Sequence, residues 1–220
     1  MSVLDQVDRR PIAVRSSPWS GRMASTLVAA GWTPNQVSLA SIGFAVLGAL
    51  LLVISAGTSH PVAACCLIFA AACIQLRLLC NLLDGLMAVE GGMKTASGVM
   101  FNEFPDRLTD TIFIVAAGYA ARQGDLAVEL GLLAALLAVM TAYVRAFGAS
   151  QGLKQDFSGP MAKQQRMHLL AGALVAGAVE LCLRGQTYII LAALVVVVVG
   201  AAWTSIRRAS AIAEALETRR

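Results

Sequence analysis

Long apolar runs separated by short polar connections dominate the chain. Six stretches, roughly 36–56, 62–83, 98–121, 126–149, 167–184 and 187–206, are mainly apolar, and each approaches the ~20 residues a helix needs to cross a bilayer. Ahead of them, "SSPWSGRMASTLVAAGW" mixes Arg22 with Trp19, Met23 and Leu27, the pattern of an amphipathic helix lying in a membrane interface. "GWTPNQ" (31–36) predicts the turn into the first span. The expected architecture is all-α: a polytopic membrane protein with six transmembrane helices and an N-terminal interfacial helix. It divides into an N-terminal cytoplasmic segment and interfacial helix (1–35), a six-helix membrane domain (36–206) and a cytoplasmic C-terminal tail (207–220).

Composition strengthens this picture. The 220 residues are 58% hydrophobic and only 14% charged, with mean hydropathy +0.72; a soluble domain carries about a quarter charged residues. The net charge of +4 is not gathered on a soluble face, so a membrane surface is the expected partner and nucleic acid is not. Five cysteines, an odd number, lie in apolar runs without metal-ligand spacing, which argues for packing residues over disulfides or zinc. The first thirty-odd residues hold no long apolar core ending at a small-residue cleavage site, so no signal peptide is expected.

Basic residues set the expected orientation. With six spans both termini share a side. That side collects Arg9, Arg10, Arg15, Arg22, Lys94, Lys154, Lys163, Arg166, Arg207, Arg208, Arg219 and Arg220, against Arg122 and Arg184 opposite. Lys and Arg favour the cytoplasmic side, so both termini and the connections near 89–97 and 150–166 are predicted to be cytoplasmic. The design suggests a bacterial inner membrane.

Charged residues gather at one point. The second span ends "RLLCNLLDGLMA", placing Arg77, Asn81, Asp84 and Ala88 on one helix face; the third begins "GVMFNEFPDRLTD", where Asn102, Asp106 and Asp110 recur every fourth residue. Ionisable groups at membrane depth persist when paired, when facing water, or when holding an ion. Clustered carboxylate and carboxamide oxygens suit a hard cation such as Mg²⁺ shared with phosphates. Structural ion pairs with Arg77, Arg107 or Arg145 are the competing reading, and a proton or ion pathway the third. Glu103 and Arg107, four apart, predict an i,i+4 pair.

This stretch resembles the signature of the CDP-alcohol phosphatidyltransferase family, D-x-x-D-G-x-x-A-R, eight residues, G-x-x-x-D-x-x-x-D. Asn81 falls at the first Asp, Asp84 at the second, Gly85 and Ala88 at the first Gly and the Ala; Gly98 opens the second half, with Asn102 and Asp106 at the third and fourth Asp. "GWTPNQVSLAS" (31–41) and "AYVRAFGASQGLKQDFSGPMAKQQRM" (142–167) are similar to the family's entry to its first span and to its segment between the fourth and fifth spans. Two signature acids are replaced by Asn, and Val89 stands where the family has Arg. Each lost carboxylate removes roughly 4 kcal/mol of attraction for a unit charge about 4 Å away at an effective dielectric near 20.

The resemblance implies a divalent-metal-dependent phosphatidyltransferase of phospholipid synthesis. A phosphatidyl group would pass from a CDP-linked lipid, expected to be CDP-diacylglycerol, to a polar alcohol, free or phosphorylated, releasing CMP. It implies Asp84, Asp106, Asn81 and Asn102 as ligands of one or two Mg²⁺ or Mn²⁺ ions and Asp106 as general base. Gly85, Ala88 and Gly98 are implied to admit the nucleotide, and Arg145, Lys163 and Arg166 to bind the acceptor. A homodimer is also implied. Glu103 or Asp110 is a candidate replacement ligand. The bland alternatives stand beside these: Lys163 and Arg166 as cytoplasmic-side anchors, Arg145 paired with a buried acid, and the whole chain as a non-catalytic lipid- or CDP-binding protein. Clustering of the polar residues at one membrane side, away from the midplane, counts against a transporter.

Overall fold

The computed structural model describes residues 18–89, 92–93 and 98–218. Its described residues form seven helices and no strands: α1 (Pro18–Ala29), α2 (Pro34–Gly57), α3 (His60–Val89), α4 (Gly98–Ala120), α5 (Asp125–Ser150), α6 (Lys163–Arg184) and α7 (Tyr188–Glu217). The expected basic residues Arg9, Arg10, Arg15, Lys94, Arg219 and Arg220 lie outside the described residues.

The turn predicted from "GWTPNQ" forms by paired caps. Gly31, at φ +82°, ends α1 in the left-handed conformation. Thr33 then opens α2 as N-cap in a capping box with Gln36, and Pro34 occupies the first turn. At the opposite end of α2, Arg122 Nη2 donates to the carbonyls of Ala56 (3.2 Å) and Thr58 (2.7 Å), satisfying oxygens that the helix itself leaves unpaired.

Helix α3 packs against α2 and α6; α4 packs against α2 and α5; α7 closes the bundle against α5 and α6. Leu52, Leu67, Ile74, Phe113, Leu174 and Leu194 are fully buried at its centre. Small residues let α4 and α5 approach closely. A side chain at Gly118 of α4 would meet Ala127 O at 2.7 Å, and one at Gly131 of α5 would meet Gly118 Cα at 3.1 Å. Leu50, Ile54, Leu136 and Val199 instead face outward, as lipid-facing residues do.

Five helices, α2, α3, α5, α6 and α7, are long and apolar enough to cross a membrane, which marks an integral membrane protein. The sixth expected span is a helix of the expected length, but Glu103, Asp106, Arg107 and Asp110 keep α4 below that apolarity. Two other boundaries differ from expectation. Helix α3 continues past residue 83 to Val89, and α7 runs past 206 to Glu217 without a break. Residues 207–217 contain Ala, Glu and Arg and neither Gly nor Pro, so nothing in the sequence stops the helix. All five cysteines are free.

Candidate active site

Four helices contribute to one polar cluster. Arg77, Asn81 and Asp84 come from α3, Asp106, Thr109 and Asp110 from α4, Lys163 and Arg166 from the first turn of α6, and Ser38 from α2.

Arg77 organises it. The side chain is fully buried; Nε donates to Thr109 Oγ1 at 2.7 Å. Its Nη2 donates to Asp106 O at 3.1 Å and lies 3.2 Å from Asp106 Oδ1 and 2.7 Å from Asp110 Oδ1. Asp110 also receives Arg166 Nη2 on its other oxygen at 2.8 Å. Arg166 is itself buried and donates through Nη1 to Met161 O at 3.0 Å.

Asp106 is engaged on both oxygens. The Asn81 amide and Arg77 donate to Oδ1, and the Lys163 ammonium pairs with Oδ2. Only the NH₂ end of a carboxamide can donate to a carboxylate, so Asn81 serves Asp106 as a donor. Asp84 is buried, and Ser38 Oγ donates to its Oδ2 at 2.5 Å. Its Oδ1 is buried without a hydrogen-bond partner in the protein, as are Arg77 Nη1 and Arg166 Nε. Asp84 lies within electrostatic reach of Asp106 and Lys163. The two acids of the signature therefore share one neighbourhood.

These facts test the fit of a divalent ion. Asp84 Oδ1 is an oxygen ready to accept one. Both Asp106 oxygens already have partners, and no group of three or more His, Cys, Asp or Glu among the described residues is arranged to hold a metal. Three carboxylates (Asp84, Asp106, Asp110) face three cations (Arg77, Lys163, Arg166), so the cluster is already neutral. Among the described side chains, the oxygen open to an ion is Asp84 Oδ1. Asn102 lies on α4, but its side chain is outside the described residues.

The other candidates fall around this centre. Gly85 and Ala88 occupy the last turns of α3, half-buried, and Gly98 opens α4. Glu103 pairs with Arg107, as the spacing predicted, and also with Arg145 at 2.7 Å. Arg145 further donates to Gln155 and lies 4.8 Å over the Phe157 ring. The acid partner of Arg145 is thus Glu103, which is partly exposed where a buried acid was expected. Glu103 and Asp110, the candidate replacement ligands, are each paired with two arginines. His168 and Glu129 are exposed, whereas Glu180 accepts from the Ile189 backbone amide at 2.9 Å and caps the start of α7.

Residues 151–162, leading into Lys163, are tied to α7. The buried Arg208 donates to Ser158 O (3.0 and 2.8 Å) and Thr141 O (2.8 Å), and Met161 N donates to Thr204 Oγ1 at 3.2 Å. Partial burial raises the Asp156 carboxyl, but the Ser158 hydroxyl and amide overcome this and hold it below the ordinary carboxylate range.

Sequence reasoning missed Ser38 and the anchoring role of Thr109. Serines in apolar helices are poor signals, because Ser41 and Ser55 bond only to carbonyls of their own helix. Only the packing of α2 on α3 distinguishes Ser38.

No family model matches the chain. The chain is 29% identical over 160 residues to the phosphatidylinositol phosphate synthase of Mycobacteroides abscessus, an alignment spanning 70% of this chain and 68% of that protein. Its fold is that of the Mycobacterium tuberculosis phosphatidylinositol phosphate synthase. The structure of that enzyme with CDP-DAG bound superposes with a TM-score of 0.65 at 21% identity, covering 88% of this chain and 92% of the other. Its complex with manganese and citrate gives 0.65 at 21% identity, covering 88% of each chain. The apo form gives 0.68 at 21%, covering 85% of this chain and 92% of the other.

Proposed function

We propose that this protein is a phosphatidyltransferase that moves a phosphatidyl group from CDP-diacylglycerol to a phosphorylated polar alcohol, with release of CMP. The observation that carries the reading is the convergence of Asp84 and Asp106 beside the Lys163–Arg166 turn, with one buried Asp84 oxygen left unpaired. Similarity to a synthase of the same reaction class supports it and puts inositol phosphate first among acceptors to test.

The chain's own groups divide the work. Asp106 accepts the proton of the acceptor hydroxyl as its oxygen attacks the lipid-linked phosphorus. The bond from that phosphorus to the CMP oxygen breaks, and CMP leaves. Asp84 would hold a Mg²⁺ or Mn²⁺ ion, with Asn81 and Asn102 as its further ligands in this reading. Such an ion supplies positive charge against the diphosphate and the departing CMP. Gly85, Ala88 and Gly98 give the nucleotide room near the backbone. Lys163 meets the acceptor phosphate, and Arg145 and Arg166 add positive potential around it.

In this reading α4 is a sixth span. Its charges are matched by Arg77, Arg145, Lys163 and Arg166 from neighbouring helices, which removes most of the cost of placing them at membrane depth. Six spans put both termini and the site on the cytoplasmic side of a bacterial inner membrane, with α1 in the interface and Trp19 and Met23 exposed toward it. The working unit is a homodimer.

The test is CMP release from CDP-diacylglycerol by purified protein, across polar alcohols and their phosphates, with and without Mg²⁺ or Mn²⁺. Metal-dependent release that is lost in both Asp84→Ala and Asp106→Ala supports transfer. Retained CDP-lipid binding with no release for any acceptor favours a non-catalytic binding protein on the same fold.

A further inference from the structure

We propose that the Lys163 ammonium is the resident counter-cation of the Asp84–Asp106 site, and that a divalent ion binds there only once Lys163 has left. The inference rests on the transfer reading only in that such an ion is expected at this cluster.

Charge comes first. Three carboxylates and three cations cancel, so a divalent ion added to the cluster as it stands would leave two uncompensated positive charges among buried groups. Buried charge without a partner is strongly disfavoured. Removing Lys163 from the balance leaves Asp84 and Asp106 in mutual electrostatic reach, with one excess negative charge to attract a cation.

Ligand availability agrees. Asp106 Oδ1 is taken by Asn81 and Arg77, and Oδ2 by Lys163. Of these three contacts, that of Lys163 is the one free to exchange. Arg77 is fully buried and bound to Thr109, Asp106 and Asp110; Asn81 is carried by the interior of α3. Lys163 stands at the first position of α6, its side chain is 18% exposed against 0% for Arg77 and 3% for Arg166, and its four-carbon stem relocates more readily than a forked guanidinium. When Lys163 moves to an anionic substrate group, Asp106 Oδ2 opens at the same moment as the partnerless Asp84 Oδ1 becomes able to share an ion with it. In Asn81, a donor to Asp106 replaces an acid, and this keeps the closed arrangement stable without any metal.

The experiment titrates Mn²⁺ into detergent-purified protein without donor or acceptor and follows free Mn²⁺ by electron paramagnetic resonance. Wild type should bind weakly. Lys163→Met should bind at least about tenfold more tightly, since an opposing unit charge a few ångströms away has been removed. Adding Asp84→Asn to that variant should return affinity to the wild-type level. If Lys163→Met does not elute as a monodisperse species, Lys163→Gln takes its place. Donor-free wild type binding Mn²⁺ as tightly as the Lys163 variant overturns the proposal, and so does a folded Lys163 variant no tighter than wild type. The titration needs no turnover, so absence of CMP release would count against the proposed transfer alone.

Discussion

Arg77 of α3 lies 2.7 Å from Asp110 of α4, and that carboxylate meets Arg166 of α6 at 2.8 Å through its other oxygen. One acid thereby ties three helices together. Removing one partner of a buried pair typically costs about 3–5 kcal/mol, because the remaining charge is stranded. Arg77→Met should lower stability by about that amount, measured by SDS-induced unfolding in mixed micelles. Arg166→Met should cost less, since Asp110 keeps Arg77. Equal stability of Arg77→Met and wild type would show that these contacts do not persist in the membrane protein.

Ser38 Oγ donates to Asp84 Oδ2 at 2.5 Å, and both residues are buried. Ser38→Ala would remove the side-chain donor of a buried carboxylate, at a cost of about 1–3 kcal/mol. The same change should raise the metal concentration needed for half-maximal CMP release, because Asp84 loses the bond that fixes its orientation. Ser41→Ala is the control: Ser41 bonds only Ser38 O within its own helix and should leave the metal dependence unchanged.

Much of this arrangement was legible in residue spacing. The face shared by Arg77, Asn81 and Asp84, and that shared by Asp106 and Asp110, follow from helix periodicity, and the i,i+4 pair of Glu103 and Arg107 formed as expected. Helix ends were less legible. Asn81 to Ala88 look like an exit from the membrane, yet α3 continues, with Asn81 turned inward to Asp106 of α4 and Asp84 to Ser38 of α2. Partners across helices were not legible. Nothing in local sequence distinguishes Lys163 bound to Asp106 from Lys163 as a surface anchor; that contact depends on α3, α4 and α6 meeting at one point.

The segment before Lys163 offers a separate check on how the acceptor side is positioned. Arg208 clamps Ser158 O and Thr141 O from α7. Arg208→Met would remove the donors that tie Ser158 O and Thr141 O to α7 and loosen residues 151–162, which carry the chain into α6. The expected result is a several-fold rise in acceptor KM with a smaller change in kcat and little change in donor KM, together with faster proteolysis within 151–162. A proportional loss of kcat for every acceptor, with unchanged proteolysis, would mean that the clamp does not position Lys163.

Asn81 supplies the last prediction. Its amide donates to Asp106 Oδ1; an Asp at this position would instead press two carboxylates together, a contact that requires a cation or a shared proton. Asn81→Asp should therefore be less stable than wild type in EDTA, and Mn²⁺ should restore it. Ligand linkage gives the size of the effect: a metal at about one hundred times its Kd stabilises the folded state by about 2.7 kcal/mol. Thermal unfolding across a Mn²⁺ series should show a concentration-dependent rise in Tm for Asn81→Asp, a steeper one for Asn81→Asp with Asn102→Asp, and a nearly flat response for wild type. A flat response in the double variant would place these side chains away from any cation and remove Asp84 and Asp106 from metal chemistry.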